Sequence, residues 1–270
     1  MRPVEMLRRN NVRILGDRER TLLLAHGFGC DQHMWRFIAP SLMQRYRIVL
    51  FDYVGSGQSE LKAYDSGRYS RLEGYAEDIL EICDALELDG ATFVGHSVSS
   101  MIGLIAAMDE PRFFDRLIMI CPSPCFLNKP PDYRGGFDAR DLEGLLDLMD
   151  KNYIGWANYL ALQVLATNDN EALTAELSGS FCSSDPVIAR NFARATFFSD
   201  CRSLLPQVKH PSLLLQSQTD ALADVAVGEY MQASMPGSEL RVLPAAGHCL
   251  QMTHPEMVIH EIDRYLAREV

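Results

Sequence analysis

The stretch Val94-Gly95-His96-Ser97-Val98-Ser99 decides how the rest of the chain is read. It extends the apolar run Ala91-Thr92-Phe93 and leads into Met101-Ile102-Gly103-Leu104-Ile105-Ala106-Ala107. A strand pattern stops at a glycine, presents one serine and passes into a buried helix. Such a turn lifts the Ser97 hydroxyl out of the sheet plane and aims the first amides of a helix beside it. Small flanking residues suit it, because the serine backbone should be strained and neighbouring Cβ atoms would clash. The general pattern is G-x-S-x-G, and here Ser99 fills the last place. Alone, the pentapeptide reads as a buried serine turn. Its weight comes from the chain around it.

Upstream, Asn11 to Leu15 and Thr21 to Ala25 are short strands, the second ending at His26-Gly27-Phe28-Gly29. Met34 to Arg45 is expected to be helical, interrupted by Pro40, and Arg47 to Asp52 is a further apolar strand. Ser70-Arg71-Leu72-Glu73 has the spacing of a capping box, followed by Leu72, Tyr75, Ala76, Ile79, Cys83 and Leu86 on one helical face. Downstream, Leu117 to Cys121 is a strand. Apolar strands alternating with helices predict an α/β protein with a mostly parallel, doubly wound sheet covered on both faces.

Between Pro122 and Pro211 the alternation breaks. Leu142, Leu145, Leu146 and Met149 form one helical stripe, residues 152–165 and 170–181 two more helices, and Asp185-Pro186 opens a fourth. The expectation is an inserted four-helix cap over residues 123–206, with the core built from 1–122 and 207–270. Strand and helix patterns resume at Ser212 to Gln216, Val225, Leu240 to Leu243 and Pro255.

The 270 residues are 47% hydrophobic, ample for a packed core, with no apolar run near the roughly 18 residues of a membrane span. The N-terminal stretch lacks an apolar segment of secretory type, so neither export nor membrane insertion is expected. A net charge of -11 argues against nucleic acid and anionic lipid as partners. Seven scattered cysteines, without a C-x-x-C pair, read as reduced thiols of a cytoplasmic protein, and no zinc site is expected. No metal or cofactor is implied.

In a doubly wound sheet, ligands bind beyond the carboxyl ends of the strands. The residues there include Ser97, then Asp220, then His248, a nucleophile, an acid and a base in the chain order of nucleophile-elbow hydrolases. A serine hydroxyl needs a base within hydrogen-bond reach, and the base needs a partner on its other ring nitrogen. Asp224 rivals Asp220 for that last role; Asp220 is preferred because it lies nearer the strand end. The amides of Phe28, between two glycines, and Val98, after the serine, are the candidate oxyanion donors. His96 is expected to pack locally and His26 to order its loop. Gly55-Ser56-Gly57 lacks the third glycine of a dinucleotide fingerprint and the lysine of a phosphate loop, so it reads as a rim turn.

These residues resemble the α/β-hydrolase superfamily. More narrowly, the chain resembles the bacterial stress-response hydrolases of the RsbQ type and their plant relatives, the karrikin and strigolactone receptors. The marks include His26-Gly27-Phe28-Gly29-Cys30-Asp31-Gln32, Phe51-Asp52-Tyr53-Val54-Gly55-Ser56-Gly57, Ser123-Pro124-Cys125, Asn152-Tyr153-Ile154-Gly155-Trp156 and Phe197-Phe198-Ser199-Asp200. The plant receptors of this group resemble it in the Gly-His-Ser-Val-Ser elbow. The resemblance implies a V-shaped helical cap and a mostly apolar pocket above Ser97, for which Phe28, Phe126, Trp156 and Phe192, with Val98, are candidates. The function it implies is cleavage of a small apolar ester or lactone by a cofactor-free serine hydrolase. The alternative is a slow-turnover sensor that captures a ligand and signals to a regulatory protein partner.

Overall fold

The computed structural model describes residues 3–166 and 170–268. Among them, seven strands form one sheet in the order β1-β3-β2-β4-β5-β6-β7: β1 (Arg13–Leu15), β2 (Thr21–Ala25), β3 (Arg47–Leu50), β4 (Ala91–His96), β5 (Phe114–Ile120), β6 (Ser212–Thr219) and β7 (Ser238–Ala246). Strand β1 runs antiparallel to β3 and every other pairing is parallel, as expected from the buried, uninterrupted strand sequences. Side chains alternate across the sheet. Leu22 and Leu24 join one apolar core, and Leu23 and Ala25 the other. The strand order reverses on either side of β2, which has β3 on one flank and β4 on the other. The loops after β2 and β4 therefore leave the sheet side by side, at the place where such sheets hold ligands.

The helices are α1 (Pro3–Arg9), α2 (Ala39–Leu42), α3 (Leu72–Ala85), α4 (Val98–Asp109), α5 (Ala139–Lys151), α6 (Tyr153–Leu165), α7 (Glu171–Ser183), α8 (Pro186–Phe197), α9 (Val225–Ser234), α10 (Leu250–Thr253) and α11 (Pro255–Leu266). Two local expectations need correcting, and one helix lies where none was expected. The segment 34–45 is a single turn at Gln32–Trp35 followed by the short α2, because Pro40 has no N–H to continue an earlier helix. The Ser70 hydroxyl bonds the Gly67 carbonyl at 2.8 Å, leaving Arg71 at the N-cap of α3 with no side-chain cap. Helix α1 was not foreseen. It is held by tertiary contacts, since Arg9 reaches the fully buried carboxylate of Asp78 on α3 at 3.0 Å.

Helices α5 to α8 lie in the chain between β5 and β6 and pack against the loops that leave the carboxyl edge of the sheet. Ser180 of α7 donates to the Gly29 carbonyl at 2.9 Å, and the His248 amide donates to the Val164 carbonyl at 2.6 Å. The start of α8 is fixed as the Asp-Pro pair requires: Asp185 accepts from the Val187 and Ile188 amides at 2.9 and 3.2 Å. Among the described residues, no helix is long and apolar enough to cross a membrane.

Candidate active site

Ser97 occupies the turn between β4 and α4 with φ 55 and ψ -122, a conformation that non-glycine residues rarely adopt. The close packing around it explains the small neighbours. A Cβ at Gly95 would stand 2.7 Å from the Ser99 backbone, and one at Gly103 would enter the Phe93 ring. Ser99 has a further role that the sequence did not reveal. Its hydroxyl donates to the His26 carbonyl and lies 2.9 Å from the Tyr53 hydroxyl, tying the loops after β2 and β3 to the start of α4.

The loop after β7 brings His248 over the serine. Gly247 has φ 99, and a Cβ there would approach the Leu165 carbonyl to 2.5 Å, so only glycine allows this path. His248 Nε2 is 2.7 Å from Ser97 Oγ, and Nδ1 is 2.7 Å from Asp220 Oδ2. With a carboxylate facing Nδ1, the proton sits on that nitrogen, and Nε2 keeps a lone pair for the serine hydroxyl. Asp220 Oδ1 accepts from the Leu222 and Ala223 amides at 2.8 and 3.2 Å. Burial pushes the Asp220 carboxyl up, but His248 and these amides outweigh it and hold the group below its ordinary value. Asp224 lies apart from this chain of bonds: it caps α9, accepting from the Ala226 amide at 3.0 Å.

His96 does more than pack locally. Its Nε2–H donates to the His248 carbonyl at 2.9 Å, fixing the loop that carries the imidazole. His26 accepts from the Tyr53 amide at 3.2 Å through Nε2, and its Nδ1–H meets the Gly27 carbonyl at 2.9 Å. Asp52 is buried and accepts from the Gln32 and Gln58 amides, so it holds the turns that flank His26. Phe28 follows Gly27, and Val98 opens α4, where first-turn amides have no acceptor within the helix.

A cavity of about 30 Å³ lies above Ser97, bounded by Phe28, Phe126, Leu160, Val164, Phe181, Phe197 and Leu222. Of the residues proposed for the pocket, Phe28 and Phe126 line this cavity, whereas Trp156 and Phe192 stand one layer back. Trp156 stacks on Tyr153 at 5.3 Å, and Phe192 stacks on Tyr75 at 4.2 Å. Both meet Phe28 only as a supporting ring, at 6.0 and 5.5 Å. An apolar helix position looks the same in sequence whether it faces a cavity or a neighbouring helix. A larger cleft of about 680 Å³, running from Arg71 to Arg194 and Asp200, does not include Ser97. Among the described residues, Cys121, Asp220 and His248 form a trio whose ligand atoms lie within 4.8 Å of one another. Nothing in the residue pattern announces this grouping, because Cys121 reads as a small apolar residue at the end of a strand run. Two of its members are already bonded to each other.

The architecture is that of the α/β hydrolases. The chain belongs to the α/β-hydrolase fold family, whose description matches residues 20–255. It is 37% identical over 262 residues to the Karrikin insensitive 2 receptor CA of Petunia hybrida, covering 97% of each chain. It is also 37% identical over 259 residues to Strigolactone esterase D14 of Arabidopsis thaliana, covering 96% of each. A solved hydrolase from Oleispira antarctica has the same fold at a TM-score of 0.97 and 51% identity, over 100% of this chain and 98% of that one.

Proposed function

We propose that the protein is a cofactor-free serine hydrolase that cleaves a small apolar ester or lactone through an acyl-enzyme on Ser97. The observation that carries this reading is the unbroken line Ser97 Oγ, His248 Nε2, His248 Nδ1 and Asp220 Oδ2, with both links at 2.7 Å. As Ser97 attacks the carbonyl carbon, its proton passes to His248 Nε2, and Asp220 stabilises the imidazolium that forms. The amides of Phe28 and Val98 take the oxyanion. Collapse of the tetrahedral centre expels the alcohol, which leaves with the proton from His248. Water then repeats the cycle on the acyl-serine and releases the acid. Residues 123–206 act as the cap that closes this site, and the cysteine pattern of the sequence supports a cytoplasmic setting.

Treatment with an organophosphate tests the reading. Intact mass should rise by one phosphoryl adduct, mapped to Ser97, with loss of p-nitrophenyl acetate hydrolysis; an adduct elsewhere, or full activity with Ser97 modified, overturns it.

The small cavity favours a second reading as well. A site with about 30 Å³ of free space must open to exchange acid for ester, so turnover can be slow. A slow enzyme of this kind suits a ligand sensor with a regulatory protein partner, like the RsbQ-type hydrolases and the plant receptors. Rapid-quench acylation followed by mass spectrometry separates the two: an acyl-enzyme that outlasts its formation by hours supports the sensor.

A further inference from the structure

Four residues interrupt the carbon and sulfur wall of the cavity above Ser97. Three of them, His96, Ser97 and His248, have hydrogen bonds within the site. The fourth is Thr196, in the last turn of α8. It is 1% exposed, and its Oγ1 has no hydrogen-bond partner among the described residues. A threonine inside a helix ordinarily closes its hydroxyl onto a carbonyl three or four residues earlier, and Thr196 does not. Valine would fill the same space without leaving a buried hydroxyl unmet. The neighbouring Phe197 ring meets the Phe28 ring edge-on at 5.8 Å, so this turn of α8 borders the side of the cavity formed by the oxyanion loop.

We propose that Thr196 is a specificity residue whose hydroxyl bonds a second oxygen carried by the acyl part of the substrate. The favoured substrates are then compact esters or lactones with an ether, keto or ring oxygen near the scissile carbonyl. Purely hydrocarbon acyl groups leave the hydroxyl unmet and are disfavoured, because a site built around a polar group rejects analogues that lack its partner. This rests on the serine-hydrolase reading given above.

The test compares p-nitrophenyl methoxyacetate with p-nitrophenyl butyrate, acyl groups of equal length that differ by one oxygen for one methylene. The greater intrinsic reactivity of the methoxy ester cancels when the ratio of their kcat/KM values is compared between enzymes. That ratio should fall roughly three- to tenfold in Thr196→Val. Thr196→Ser, which keeps a hydroxyl, should restore most of it, and the change should fall mainly in KM. Equal ratios in the wild-type and valine enzymes overturn the proposal while leaving the hydrolase reading standing. If no variant turns over either ester, the hydrolase reading fails, and thermal shifts with methyl methoxyacetate and methyl butyrate decide on Thr196 instead. A larger shift with the methoxy compound, present in wild type and absent in Thr196→Val, supports it; equal shifts refute it.

Discussion

Acidification should destabilise the fold steeply through His96. The ring is 2% exposed, and its Nε2–H is committed to the His248 carbonyl. Its Nδ1 has no hydrogen-bond partner among the described residues and faces Gly27 so closely that a Cβ there would stand 2.4 Å away. A proton on Nδ1 would therefore place a charge against backbone that offers no acceptor. Burial, and next the neighbouring His248, lower the His96 value from 6.5 to about 3. The folded value is depressed, so the stabilisation is complete above the unfolded value of 6.5 and is lost as pH falls toward 3. One unit corresponds to about 1.4 kcal/mol, which makes the full loss about 5 kcal/mol. That is a third or more of the margin of many domains, typically about 5–15 kcal/mol.

Urea unfolding between about pH 7 and pH 4.5 measures this loss in wild type and in His96→Gln, which keeps a donor for the His248 carbonyl. The variant should be less stable at neutral pH. Its stability should also fall less steeply on acidification, by up to about 1.4 kcal/mol per pH unit. Burial lowers His26 in the same direction, but that ring is common to both proteins and cancels. Parallel profiles would refute the argument.

Asp220→Asn should cost on the order of 10⁴ in kcat by disturbing the His248 tautomer. Asp224→Asn should be nearly silent, because asparagine caps a helix as well as aspartate does; initial rates that rank the two the other way round assign the acid to Asp224. Gly29→Ala should lower stability by about 1–3 kcal/mol, since a Cβ at φ +70 would lie 2.3 Å from the Phe181 ring. An unchanged Tm in scanning calorimetry rejects that packing. Across an acyl series, kcat/KM should be highest for acetyl and fall with length, as the cavity of about 30 Å³ predicts. A value that rises toward palmitoyl means an open groove.

The strand and helix alternation, the turn at Ser97 and the helical insertion after β5 were legible in the sequence. They depend on signals a few residues long: an apolar run ended by glycine, a period of about 3.6 residues, and an Asp-Pro start. Boundaries failed where distant contacts decide. Helix α1 gains its anchor from Asp78, sixty-nine positions beyond Arg9, and no local pattern announces that.

The same limit separates the candidate site from its surroundings. Residue type and chain order proposed Ser97, Asp220 and His248, because a weak hydroxyl nucleophile requires a base and the base requires an acid. Asp220 and Asp224 share one loop, and closeness to the strand end favoured Asp220 in sequence; the folded path is what points Asp220 at His248 and turns Asp224 onto the Ala226 amide. The roles of Ser99 and His96, the closeness of Cys121 to Asp220 and His248, and the displacement of Trp156 and Phe192 behind the cavity wall belong to tertiary structure alone. An apolar or hydroxyl side chain carries no mark of what it will face. That is set by segments far apart in the chain, such as His96 and His248 at a separation of 152 residues, brought together by the sheet.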